Sequence, residues 1–195
     1  MTGESGAIQR RSDTIDVRRM TAMRKTLLVI DMQNDFINGA LGTAEAVAIV
    51  DHVVEEIKKY PVSDIIATRD THGENYLDTQ EGRNLPVPHC IKGTRGWELH
   101  PRIAEVLEGV TVIDKPTFGS TELAHVLARM AGEEELDITL VGLCTDICVV
   151  SNALLIKAAL PETPVRVIGS CCAGVTPESH RAALETMKMC QVKIE

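Results

Sequence analysis

The stretch "DITLVGLCTDICVVSNALLIKAAL", residues 137–160, decides the fold class. Its first part, 137–144, is a short, almost continuous apolar run, typical of a strand that is buried on both faces. The second part, 145–160, has the apolar spacing of a helix, with Thr145 or Asp146 as its N-cap. A buried strand that leads directly into a helix predicts one βα unit of a parallel sheet.

The rest of the chain repeats this alternation. The other predicted strands are 26–31, 64–70, 110–115 and 165–172, with an edge strand at 191–195. The other predicted helices are 44–60, 121–131 and 176–190. A long loop is expected from residue 71 to about 98. The sequence therefore predicts one α/β domain over residues 24–195, a three-layer α/β/α arrangement with a central parallel sheet of about six strands.

The first 23 residues differ from the rest in composition. They are polar and locally basic and have no sustained apolar period. We interpret residues 1–23 as a flexible leader, with Met20 or Met23 as alternative native starts. A targeting peptide is the less favoured interpretation.

Charge and cysteine content limit the classes of partner. A net charge of -8 argues against nucleic acid or an anionic membrane as the main partner. The sequence has no apolar signal segment and no apolar run of membrane-spanning length. The six cysteines are therefore expected to be reduced thiols in a cytoplasmic protein.

Three reactive side chains stand at the ends of predicted strands. Asp31 closes the first strand, Lys115 closes the third, and Cys148 follows the fourth in the first turn of its helix. Ligands of open parallel sheets bind at the carboxyl ends of the strands, so these groups are expected to meet there. A helix N-terminus and a nearby ammonium are expected to lower the pKa of the Cys148 thiol. Asp31 could accept its proton and return it to a leaving amine.

Each of the three residues also has a non-catalytic interpretation. Asp31 could cap a turn, Lys115 could be a surface lysine, and Cys148 could be an apolar residue of its helix. Spacing alone does not decide between the two interpretations. The shared position at strand ends favours catalysis.

Three segments resemble a known family. They are "LLVIDMQNDF" (27–36), "DKPTFGST" (114–121) and "LVGLCTDICVVSNAL" (140–154). Together, and in this order, they resemble the isochorismatase-like cysteine hydrolases, most closely the nicotinamidase branch. The resemblance extends from about residue 26 to the C-terminus.

The resemblance implies an activity and a role for each motif. Asp31, Lys115 and Cys148 would form the catalytic triad, with Asp31 as the acid/base. A cis peptide would precede Cys144, and the backbone amides of Cys144 and Cys148 would form the oxyanion hole. The implied reaction is hydrolysis of nicotinamide, or of a close small amide, to nicotinic acid and ammonia through a thioester.

The resemblance also implies a metal site. The segments "TRDTHGEN" (68–75) and "PVPHC" (86–90) match the family's metal-binding segments. The implied ligands of one divalent cation are Asp70, His72, Glu81 and His89. Well-known members carry a further histidine between these two segments, which this sequence lacks, so Glu81 is the predicted fourth ligand, ahead of Asp78 and water. Oxygen and nitrogen donors suit zinc, with manganese or iron as alternatives.

The expected walls of the substrate pocket are apolar. They are Phe36, Phe118, Leu143 and Ile147. Leu85, Pro86 and Val87 precede His89 where many nicotinamidases have an aromatic ring, so the aromatic lining is thin. The remaining histidines lie on helices or loops, where solvent exposure is the default expectation: His52, His100, His125 and His180.

Two other functions remain open at this point. One is another amidase of the same superfamily, with a carbamoyl or ureido substrate. The other is a non-catalytic binding protein on the same fold. Association into a homo-oligomer is also open.

Overall fold

All six predicted strands are present in one parallel sheet. The computed structural model describes residues 23–195, so the predicted leader, apart from Met23, lies outside the described residues. The strands are β1 (Arg24–Ile30), β2 (Ile65–Asp70), β3 (Thr111–Lys115), β4 (Leu136–Leu143), β5 (Val165–Ala173) and β6 (Lys193–Ile194). Their spatial order is β3-β2-β1-β4-β5-β6, and every neighbouring pair is parallel. The predicted fold class is confirmed.

Eight α-helices connect these strands in the described part of the chain. They are α1 (Asn34–Ile37), α2 (Ala44–Ala48), α3 (Val50–Ile57), α4 (Gln80–Asn84), α5 (Pro101–Val106), α6 (Thr121–Glu133), α7 (Val150–Ala159) and α8 (Pro177–Met189). None of them combines the length and apolarity needed to cross a membrane.

The helices depart from the prediction in three ways. The predicted helix 44–60 is divided into α2 and α3 at Ile49. The predicted helix 145–160 begins with one wide π-helical turn, Thr145–Val149, before α7. The helices α1, α4 and α5 were not predicted, because four to six residues are too few for a helical period to be visible.

The core lies on both faces of the sheet. In β1, Leu27 and Val29 belong to one apolar cluster, which includes side chains of α3 and α5. Leu28 and Ile30 belong to a second cluster, which includes side chains of α6, α7 and α8. Successive side chains of a strand point to opposite faces, so the central positions of a strand between two helical layers are apolar on both faces.

The strand order gathers the reactive side chains at one edge of the sheet. Asp31 directly follows β1, and Asp70 and Lys115 are the last residues of β2 and β3. Cys144 directly follows β4. Since β3, β2, β1 and β4 are consecutive neighbours, these positions lie side by side at the carboxyl ends of the strands.

Gly142 allows β4 to lie against β1 at this edge. It pairs with Ile30 and has φ of +121°, a conformation that residues with a side chain rarely adopt. A Cβ atom here would also collide with the backbone oxygen of Ile30. Only glycine therefore fits this position without displacing the two central strands.

We predict that Gly142→Ala lowers the free energy of unfolding by at least about 2 kcal/mol, because the new Cβ meets both backbone strain and a collision. The matched control is Gly132→Ala in α6, where a Cβ would have no neighbour within 4 Å. There the expected change is a gain of about 0.5–1 kcal/mol, from the higher helix propensity of alanine. Urea denaturation of both variants measures the difference, and equal effects would contradict this account.

Candidate active site

Asp31 is held in one orientation at the end of β1. Its backbone has a positive φ of 47°, which costs a non-glycine residue roughly 1–2 kcal/mol. Thr68 Oγ1 donates a 2.7 Å hydrogen bond to Asp31 Oδ1. The other carboxylate oxygen, Oδ2, faces Lys115 and has no further partner among the described residues. Asp31 is fully buried, so neither carboxylate oxygen is exposed to solvent.

Lys115 is a buried cation at the centre of the site. Its Nζ lies 2.7 Å from Asp31 Oδ2 and 3.2 Å from Asp70 Oδ1. The same atom lies 3.5 Å from Cys148 Sγ and donates a 3.1 Å hydrogen bond to Thr117 O. Burial alone lowers the pKa of an ammonium, but the negative charge of Asp31, with those of its other neighbours, raises the pKa of Lys115 above its ordinary value. Lys115 therefore remains charged.

Cys148 occupies the π-helical turn after β4, and its thiol is the resting form. Burial and the charge of Asp31 raise the pKa of Cys148 well above its ordinary value, and Lys115 compensates only in part. Burial also raises the pKa of Asp31, in spite of Lys115. The expectation of a lowered thiol pKa is therefore wrong. Lys115 is the charged group that faces both the Asp31 carboxylate and the Cys148 sulfur.

The turn that carries Cys148 also presents backbone amides. Cys144 O accepts hydrogen bonds from Ile147 N (3.1 Å) and Val149 N (3.0 Å), which close the turn. The peptide bond from Leu143 to Cys144 is cis. Burial raises the pKa of the Cys144 thiol to about 12.

Four side chains beside Lys115 could hold a metal ion. They are Asp70, His72, Glu81 and His89, and one ligand atom from each lies within 4.8 Å of all the others. His72 Nε2 lies 3.0 Å from Asp70 Oδ2 and 3.5 Å from Glu81 Oε1. His89 Nε2 lies 3.7 Å from both of these oxygens. Ligands at 2.1 Å from a tetrahedral zinc are about 3.4 Å apart, which is close to these four distances.

The ligand atoms are oriented by their surroundings. His89 Nδ1 donates a 2.8 Å hydrogen bond to Val87 O, which leaves the Nε2 lone pair free for a metal. Burial opposes ionisation of Asp70, but the hydrogen bond from His72 and the charge of Lys115 outweigh it and lower the pKa of Asp70. A metal-binding carboxylate must be ionised, and this one is.

The segment after Asp31 holds the loop that carries His89. The Gln33 side chain donates to Asp70 O and Trp97 O, both at 2.8 Å, and accepts from Asp70 N at 2.7 Å. Asp35 accepts a 2.8 Å hydrogen bond from Cys90 N. The segment from Gln33 to Asp35 thus holds the backbone of Asp70 and of Cys90, which is next to the candidate metal ligand His89.

A cavity of 540 Å³ opens beside the candidate metal ligands. Of the predicted pocket residues, Phe118 and Ile147 line it, together with His72, Glu81 and Leu85. Phe36 and Leu143 do not line it, because both side chains are buried in the core. The ring of Phe36 lies instead against His89, with 5.6 Å between ring centroids.

The fold and this geometry agree with a match to a protein family. The family described as "Isochorismatase domain" matches residues 25–194. The chain belongs to the isochorismatase family.

Several isochorismatase-family relatives match along most of their length. A nicotinamidase/pyrazinamidase of Mycobacterium tuberculosis is 30% identical over 189 residues, covering 87% of this chain and 97% of the relative. The crystal structure of Pyrococcus horikoshii pyrazinamidase in complex with zinc has a TM-score of 0.72 and 31% identity, covering 88% of this chain and 98% of that one. An Arabidopsis thaliana relative, 34% identical over 180 residues, covers 86% of this chain and 89% of its own, and is named "Probable inactive nicotinamidase".

Sequence reasoning missed three residues of this family member's site. Thr68 lies two positions before Asp70 in β2, and the two-residue period of a strand could have placed both on one face. Asn152 lies four residues after Cys148 and donates a 2.8 Å hydrogen bond to Cys148 O, a helical spacing visible in the sequence. Tyr76, whose ring centroid lies 4.7 Å from that of His72, had no such signal.

We predict that Glu81→Gln weakens zinc binding at least about tenfold, because the substitution replaces a charged oxygen ligand with a neutral one. The matched control is Asp78→Asn, since Asp78 is the other acid considered for this role and is exposed outside the cluster. Competition with a chelator measures both affinities. An equal loss in the two variants, or a loss only in Asp78→Asn, would remove Glu81 from the ligand set.

We predict that Asp31→Asn moves the alkylation of Cys148 to lower pH. The carboxylate charge raises the pKa of the thiol and Lys115 lowers it, so removing the carboxylate charge leaves the lowering effect. The thiolate is the reactive form, and a shift of at least about one pH unit is expected in the rate profile. Mass spectrometry of the iodoacetamide-labelled peptide measures it, with exposed Cys190 as the internal reference. A shift to higher pH would contradict this electrostatic account.

Proposed function

We propose that this protein is a metal-assisted cysteine amidohydrolase that cleaves nicotinamide, or a close small amide, to the carboxylic acid and ammonia. The observation that carries the proposal is the position of the Lys115 ammonium, 3.5 Å from the Cys148 sulfur and 2.7 Å from Asp31. A nucleophile, a base and a cation that contacts both are the parts needed for covalent catalysis on an amide. The nicotinamidase and pyrazinamidase relatives support the same reaction class.

In the first half of the reaction, the Cys148 sulfur attacks the amide carbon while its proton passes to Asp31. The backbone amides of Cys144 and Cys148 stabilise the oxyanion that develops on the carbonyl oxygen. Asp31 then returns the proton to the nitrogen, the carbon–nitrogen bond breaks, and ammonia leaves. A thioester on Cys148 remains.

In the second half, Asp31 accepts a proton from a water molecule that attacks the thioester carbon. The carbon–sulfur bond breaks, the carboxylic acid leaves, and the proton returns to the Cys148 sulfur. Lys115 remains charged throughout and stabilises negative charge as it moves between sulfur and carboxylate.

Charge balance supports a divalent cation at the four-residue cluster. Asp31, Asp70 and Glu81 bring three carboxylates to a site whose only nearby ammonium in the described chain is that of Lys115. When bound there, the cation supplies positive charge and a coordination position for a ring nitrogen of the substrate. Zinc is the proposed ion, because the donor set and its spacing fit it and a zinc complex of a related pyrazinamidase exists.

The cavity favours a small amide without restricting it to nicotinamide. Its volume of 540 Å³ exceeds the need of one six-membered ring, and Phe118 is the only aromatic wall other than His72. A carbamoyl or ureido substrate is the alternative, but the metal-binding cluster counts against a reaction that needs no ring-orienting ion. The assembled triad counts against a non-catalytic role, although one relative is named inactive.

We predict that the zinc-loaded protein releases ammonia from nicotinamide and that Cys148→Ala lowers the rate by at least about a thousandfold, because among the described residues Cys148 is the cysteine hydrogen-bonded to Lys115. Cys190→Ala, which removes the exposed cysteine, is the control and should match the parent. An enzyme-coupled ammonia assay measures all three. Absence of release by the parent would overturn nicotinamide as the substrate, and full activity in Cys148→Ala would overturn the thioester mechanism.

A further inference from the structure

The π-helical turn that carries Cys148 is hydrogen-bonded to α8 and to the segment before α8. Thr145 Oγ1 and His180 Nδ1 are 2.8 Å apart and share a hydrogen bond. The two carboxylate oxygens of Asp146 accept hydrogen bonds from Val175 N, at 3.2 and 3.1 Å. Two successive residues of the turn are thus attached to a region about 30 residues further along the chain.

The hydrogen bond between Thr145 and His180 is held in a fixed geometry. Thr145 is fully buried, so its hydroxyl cannot exchange this partner for bulk water. A Cβ atom on Gly174 would lie 2.9 Å from the backbone of His180, which shows that the chain packs directly against this residue. Burial also lowers the pKa of His180, with partial opposition from Asp146, so the imidazole is neutral at neutral pH.

His180 lies outside the proposed chemistry. It lines a second cavity, of 340 Å³, that shares no lining residue with the cavity beside the metal ligands. His52 lines the same second cavity, and its Nδ1 donates a 3.0 Å hydrogen bond to Ser170 O. The two histidines therefore share a cavity, but only His180 is bonded to the turn that presents the oxyanion amides.

We infer that His180 is a positioning residue for the proposed hydrolysis, and that its hydrogen bond to Thr145 aims the Cys144 and Cys148 amides at the developing oxyanion. This inference rests on the proposed function. The solvent-exposed role expected for His180 from the sequence does not hold, since the residue is half-buried and bonded to a buried hydroxyl. It acts through Thr145 and touches no reacting atom.

The size of the effect follows from where the bond acts. Removing an oxyanion donor outright costs about a hundredfold to a thousandfold in kcat. Loss of His180 leaves both amides in place and loosens only their orientation, while Asp146 still holds the turn. The expected loss in kcat is therefore smaller, about tenfold.

The test compares His180→Ala, His180→Asn and the control His52→Ala with the parent, all zinc-loaded. For each protein, kcat and KM for nicotinamide, the midpoint of thermal unfolding, and the rate of Cys148 alkylation by iodoacetamide are measured. Alkylation requires the Cys148 thiolate but not the oxyanion amides. Its rate therefore distinguishes a misoriented oxyanion hole, which leaves alkylation unchanged, from a less reactive thiol, which slows it. Asparagine can place a hydrogen-bonding atom close to the position of His180 Nδ1.

We expect His180→Ala to lower kcat about tenfold, with KM changed less than about twofold and Cys148 alkylation unchanged. His180→Asn should regain most of the lost kcat, and His52→Ala should match the parent. If His180→Ala fails to fold, Thr145→Val and Thr145→Ser test the same bond from the other side, and only the valine variant should lose kcat.

Three results would overturn the inference. The first is an unchanged kcat in His180→Ala. The second is a parallel loss of kcat and alkylation, which would place the effect on the nucleophile or on general folding. The third is an equal loss in His52→Ala. A parent that does not hydrolyse nicotinamide would overturn the proposed substrate and this inference with it, whereas an active parent isolates the role of His180.

Discussion

The Lys115 ammonium is a cation with almost no access to water, and the rest of the site is arranged around it. A buried charge of this kind is tolerated only when it is paired and hydrogen-bonded. The two carboxylates that pair with it, Asp31 and Asp70, stand at the ends of two other strands. The strand order β3-β2-β1 makes these three strand ends neighbours. The topology of the sheet therefore brings both carboxylates within reach of the Lys115 ammonium.

Asp70 joins two functions in one side chain. Its Oδ1 faces Lys115, while its Oδ2 faces the two histidines of the candidate metal cluster. Asp31 and Cys148, which both face Lys115, are therefore linked to the candidate metal ligands through a single carboxylate. Any change in charge at the cluster is transmitted to Lys115 over one side chain, without a conformational change.

The sequence predicted the features that depend on local residue patterns. It missed those that depend on how deeply a side chain is buried or on contacts with residues far along the chain. The apolar run of β1 predicted a strand between two layers, and the positions of Asp31, Lys115 and Cys148 after strands predicted that they meet. The pKa of Cys148 was predicted with the wrong sign, because helix position is visible in the sequence and full burial is not. Likewise, nothing near His180 in the sequence indicates a partner 35 residues away.

Gln33 is hydrogen-bonded to the backbone of Asp70 and Trp97, and Asp35 accepts a hydrogen bond from Cys90 N. These bonds limit how the site could change over evolutionary time. An insertion or deletion between residues 90 and 97 would disturb both the segment that follows Asp31 and the chain next to His89, so the two segments are expected to change together. The short helix α4 lies outside these bonds and contributes Gln80, Asn84 and Glu81 to the cavity wall. Of these, Gln80 and Asn84 are exposed and are not candidate metal ligands, so this wall of the cavity can change at both positions without altering the candidate ligand set.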